Sequence, residues 1–132
     1  MENKRNHFFL VRGSIYPFDT LFTTACIEKV IKHIEYKGYK LDDEEKSKLE
    51  MQGNGKTIML RGGQTIIRLR LEKTKLGIDV ADLAHEIEHA TFFLFNRIGV
   101  KHTEESDEAF AYYQAFLMRK SMLFFDEQMG RR

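Results

Sequence analysis

His85 and His89 stand four residues apart, with Glu86 directly after the first, in the stretch Val80-Ala81-Asp82-Leu83-Ala84-His85-Glu86-Ile87-Glu88-His89-Ala90. At about 3.6 residues per turn, positions four apart share one face of a helix, so both imidazoles can offer a nitrogen to a single metal ion. Glu86, one step round, can take a proton from a water activated by that ion as the water attacks a carbonyl, which is the chemistry of a zinc hydrolase. Leu83, Ala84, Ile87 and Ala90 are small or apolar, as suits a helix that carries its metal inside a core. Glu88 departs from that pattern, because its charge must reach water or a cation. The plainer alternative is a solvated amphipathic helix with two coincidental histidines.

A hydrolytic zinc site takes three protein ligands and keeps one position open. A third histidine six residues after His89 would fall on Phe95, so the ligand has to come from elsewhere. The next segment offers Glu104, Glu105, Asp107 and Glu108. Glu108 is the expected ligand: Ala109 beside it lets two helices approach, and Tyr112 follows one turn later on the same face. Glu105, one turn earlier, is the alternative, with Asp107 behind both. Acids gathered at a helix start also answer the helix dipole without any metal. Tyr112, Tyr113 and His102 are the candidate donors to a developing oxyanion.

The elements that must position these groups can be taken in chain order. Phe8-Phe9-Leu10-Val11 and Leu21-Phe22-Thr23-Thr24 read as two strands of a hairpin, with Pro17 barring a helix between them. Ile27, Val30, Ile31 and Ile34 predict an amphipathic helix over residues 25–37, with Thr24 as its cap, Gly38 past its end and His33 on its surface. Asp42 and Glu45 form a capping box for a short second helix. Thr57-Ile58-Met59-Leu60 and residues 65–72 read as a second hairpin across Arg61-Gly62-Gly63-Gln64. In its second strand Ile67, Leu69 and Leu71 form a buried face, while Ile66, Arg68, Arg70 and Glu72 form the other; Arg68 and Arg70, with Arg61 and Lys73, are candidates for holding a nucleic-acid phosphate or an acidic substrate, and a solvated sheet face is the plainer reading. One strand of this hairpin could lie at the sheet edge, where an extended peptide adds as a further strand. After a break at Gly77, Asp79 caps a helix over about 80–98 with the stripe Val80, Leu83, Ile87, Ala90, Leu94 and Ile98, and Phe92, Phe93 and Phe95 require cover on its other sides. A last helix, about 107–125, carries Ala109, Phe110, Tyr113, Phe116, Leu117 and Leu123.

With 132 residues, 42% of them hydrophobic and eleven phenylalanines, the chain can build one core, so residues 1–132 read as a single α+β domain. A net charge of +1 leaves no field of one sign to favour nucleic acid or an anionic membrane. Cys26 is the only cysteine, which fits a reducing compartment and excludes a Cys-rich zinc knuckle; it reads as a small buried apolar residue. The apolar run near the start stops after four residues, too short for a signal peptide, and no run is long enough to span a bilayer. The expected setting is cytoplasmic.

His85-Glu86-Ile87-Glu88-His89-Ala90, followed by Ser106-Asp107-Glu108-Ala109-Phe110-Ala111-Tyr112, resembles the small phage and prophage zinc metalloprotease-like proteins of the gluzincin type. The resemblance extends to Tyr16-Pro17-Phe18-Asp19, Gly53-Asn54-Gly55-Lys56-Thr57 and Gly63-Gln64-Thr65, and so covers most of the chain. It implies a compact zincin-like domain, a small twisted, mainly antiparallel sheet packed on a metal-binding helix and a C-terminal helix. It also implies one Zn2+ held by His85, His89 and Glu108, with Glu86 as catalytic base acting on a peptide or protein substrate. A peptidase dedicated to one partner, such as a repressor, would suit so small a chain. From another class, a catalytically silent, metal-stabilised protein that binds a host protein or nucleic acid fits the same residues.

Overall fold

The computed structural model describes residues 7–70 and 79–128. Four strands and four helices follow one another as β1 (Phe8–Val11), β2 (Thr20–Thr23), α1 (Ile27–Tyr36), α2 (Asp43–Lys48), β3 (Gly55–Met59), β4 (Thr65–Leu69), α3 (Val80–Arg97) and α4 (Asp107–Gln128). The chain is α+β, and both hairpins form: β1 pairs with β2 and β3 with β4, each antiparallel. The two join through a parallel pairing of β2 with β4, so the sheet is mixed and its order is β1-β2-β4-β3.

Side chains alternate across this sheet, and helices cover both faces. Phe22, Ile67 and Leu69 pack under α3 and α4 with Leu83, Ile87, Leu94, Phe95, Phe110 and Leu117. Leu21, Ile58 and Ile66 point the other way, into a second cluster with Val30 and Ile34 of α1 and with Leu41, Leu49 and Leu60. The expectation of one solvated face on β4 is therefore corrected. Every residue of β4 is buried, because it is a central strand between two helical layers. Arg68 is only 6% exposed; its guanidinium donates to the carbonyls of Leu49, at 2.5 Å, and Ala25, at 3.2 Å. It ties the start of α1 and the end of α2 to the sheet, and its burial keeps it from a phosphate. Leu71, Glu72, Lys73 and the Gly77 break lie outside the described residues.

Local signals place the helices well. Asp42 and Glu45 make the reciprocal capping box, and Asp79 accepts from the amides of Ala81 and Asp82 at the start of α3. Gly38 has a φ of 99° just past α1, a left-handed conformation that glycine adopts without steric cost. Glu45 does more than cap: buried in the second cluster's rim, it accepts from the Tyr39 hydroxyl at 2.8 Å and the Arg61 amide at 2.9 Å. Four other expectations fail. Cys26 is the N-cap position of α1 in place of Thr24, and it is exposed because the cap residue sits outside the helix's apolar stripe. His33 is half-buried, stacked on Phe8 with ring centroids 3.9 Å apart. Phe92 remains 54% exposed, since the second half of α3 turns Leu94 and Phe95 inward instead. α4 buries Ser121, Phe124 and Phe125 and leaves Leu123 exposed.

Candidate metal and base site

Helix geometry brings the two histidines together as their spacing requires. His85 Nε2 and His89 Nε2 lie 3.2 Å apart, both on the exposed side of α3. Two nitrogens at about 2.0–2.1 Å from one ion, separated by a tetrahedral angle, stand about 3.3 Å apart. The separation of the donor pair thus matches that of two ligands on one zinc ion. The same separation also suits one ring N–H donating to the other ring's bare nitrogen.

Glu86, one step round the helix, faces the sheet and is only 7% exposed. Its Oε1 accepts from the Thr57 hydroxyl at 2.6 Å, and Thr57 also reaches the Glu86 carbonyl oxygen at 3.1 Å. Its other oxygen lies against Gly55, where a Cβ would come within 2.8 Å of it. Glu86 therefore sits between the histidine-bearing helix and β3. Thr57 and Gly55 are the residues that sequence reasoning missed, though Gly55 and Thr57 belong to the Gly-Asn-Gly-Lys-Thr run that drew the resemblance.

β3 is an edge strand, so one expectation of the sequence acquires a location. The Arg70 amide bonds to the Asn54 carbonyl and the Leu60 amide to the Gln64 carbonyl. Alternation along an antiparallel ladder then turns the backbone N–H and C=O of Gly55, Thr57 and Met59 away from β4. The strand residue that holds Glu86 is thus one of those with its backbone toward the open edge.

The acidic residues of the following segment are placed differently. Glu104, Glu105, Asp107 and Glu108 are all exposed. The buried face of α4 is formed by Phe110, Tyr113, Leu117, Ser121 and Phe124. Leu117 follows Glu108 by about two and a half turns, so Glu108 projects from the opposite face. Among the described residues no third His, Cys, Asp or Glu joins His85 and His89 in a metal-binding group. Of the oxyanion candidates, Tyr112 is 68% exposed on that same far side, and Tyr113 is buried against Tyr16 and Phe95. Burial raises the Tyr113 pKa. His102 alone shares a cleft with His89.

That cleft, about 230 Å³, lies between α3 and α4 and is lined by Glu88, His89, Phe92, His102, Phe110 and Gln114. A larger one of about 440 Å³ lies by α1, on the other side of the sheet, among Leu10, Leu21, His33, Lys37 and Leu60. Its titratable groups are Asp19, His33, Lys37 and Tyr39, and it holds neither His85 nor His89. Among the described residues no helix is long and apolar enough to cross a membrane. Comparison with protein families, curated proteins and solved structures returns no significant match.

Proposed function

We propose that the protein is a zinc-dependent metallopeptidase with a zincin-like arrangement, in which His85 and His89 hold the ion and Glu86 is the general base. The observation that carries this reading is the 3.2 Å approach of the two Nε2 atoms on a helix whose intervening Glu86 is a buried carboxylate. When bound, zinc supplies a Lewis acid for the scissile carbonyl and brings the pKa of a water toward neutrality. Glu86 would take a proton from the water whose oxygen bonds to the scissile carbonyl carbon and would return it to the departing amine as the peptide C–N bond breaks, so no redox partner is needed. Thr57 fixes one carboxylate oxygen, leaving the oxygen beside Gly55 for the proton. An extended peptide would align along the β3 edge through the outward backbone groups of Gly55, Thr57 and Met59.

Glu108 enters as the resemblance's third ligand. From the far face of α4 it would reach the histidines only after the first turn of that helix rearranges. Zinc titration of E108Q settles its part: weakened binding supports it, and unchanged affinity removes it from the ligand set.

The experiment for the reading as a whole combines metal analysis with turnover. Wild-type protein should bind one zinc, H89A should lose it, and E86Q should keep it while cleavage of a peptide library stops. Chelation should also lower the melting temperature, because an ion bound only to the folded state stabilises it. Zinc retained by H89A, or equal cleavage by E86Q and wild type, would overturn the assignment. Zinc binding with no cleavage of any peptide would leave the metal-stabilised binding protein.

A further inference from the structure

Glu88 has no part in the metal chemistry and places a carboxylate between the two histidines of the motif. In the structure it is exposed and lines the cleft beside His89, with no hydrogen bond or ion pair to any described residue. The opposite wall is held in place: His102 Nε2 donates to Asp107 Oδ1 at 2.6 Å, and the ring stacks on Phe110, ring centroids 4.3 Å apart. Phe92, more than half exposed, contributes a free aromatic face. At about 230 Å³ the recess is below the size of pockets that enclose whole small-molecule ligands and suits one large side chain.

We propose that this recess is a specificity pocket for an arginine side chain of a peptide, resting on the peptidase reading for its place beside the scissile bond. The aliphatic stem and planar guanidinium would lie along Phe92, a cation over an aromatic face, while the guanidinium's N–H groups donate to the Glu88 carboxylate. Gln114 offers a further acceptor at the same cleft. Asp107, committed to His102, keeps that wall from presenting an unpaired positive charge to the incoming cation. Arginine fits better than lysine because its planar group can both stack and make a two-pronged contact.

The test separates this inference from the peptidase reading by measuring binding without turnover. N-acetyl-arginine methylamide and its uncharged norleucine counterpart are titrated into isotope-labelled full-length E86Q, and amide shifts are followed with and without zinc. Arginine should move the amides of Glu88, Phe92, His102 and Gln114 and bind more tightly than norleucine. E88Q added to that background should weaken arginine about three- to tenfold and leave norleucine unchanged, and F92A should weaken it by a similar factor. Both side chains are exposed, so neither variant threatens the fold. Equal binding of the two probes, shifts confined to another surface, or no effect of E88Q would overturn the pocket. Arginine binding as described in a protein that holds no zinc and cuts nothing would leave the pocket standing and remove the peptidase.

Discussion

Replacing Gly55 by alanine probes the contact on which the proposed base depends. The new methyl would lie 2.8 Å from both Glu86 Cγ and Oε2 and 3.0 Å from Cδ. Ordinary contact is about 3.5 Å or more, so something must move by roughly 0.7 Å. Glu86 cannot swing away cheaply, because it is buried and its Oε1 is engaged by Thr57. Overpacking of this kind costs about 1–3 kcal/mol, and G55A should therefore destabilise by about 2 kcal/mol. E86A alone should cost only about 1 kcal/mol, since the Thr57 hydroxyl keeps the Glu86 backbone carbonyl as an acceptor. In the double variant the overlap is gone, and alanine is at least as favourable as glycine in a strand. The pair should thus cost no more than E86A, a coupling of about 2 kcal/mol. Urea unfolding of the four proteins measures it, with an unchanged slope expected throughout. Should G55A cost the same with and without the Glu86 side chain, the close packing of β3 on that carboxylate is not what the alanine disturbs. Zinc affinity should be unaffected by G55A, as the atoms nearest the added methyl all belong to Glu86 and none to His85 or His89.

Two further outcomes follow from buried charges. R68A should destabilise by about 3 kcal/mol or more, leaving the Leu49 and Ala25 carbonyls without their donor, and R68K should not restore it because one ammonium cannot serve both; chemical denaturation reads both. Burial would raise the Glu45 pKa, but the Arg61 amide, the Tyr39 hydroxyl and the Asp42 amide outweigh it and hold it below its usual 4.5. A carboxylate with a depressed folded pKa stabilises above the unfolded value and loses that contribution as pH falls through the folded one. The stability gap between wild type and E45Q should therefore be full at neutral pH and close as pH drops below about 4.5; a gap that persists unchanged at pH 3 would contradict this.

What could be read from residue order alone was local. The capping box at Asp42 and Glu45, the cap at Asp79, both hairpins and the shared face of His85 and His89 all depend on groups within a few residues of one another, where backbone geometry leaves few choices. Tertiary structure decided the rest. Nothing in β4 itself announces that β2 will pair with it in parallel or that α1 and α2 will cover its second face, yet that pairing buries Arg68 and turns an apparently solvated strand into the centre of the sheet. The same holds at the site: Thr57 meets Glu86 across 29 positions of chain, and the face that α4 presents is chosen by Phe110, Tyr113 and Leu117 packing on α3, which sends Glu108 outward. Spacing along one helix sufficed to align two imidazoles, whereas a partner from a second helix depends on how that helix rotates as it buries its largest side chains.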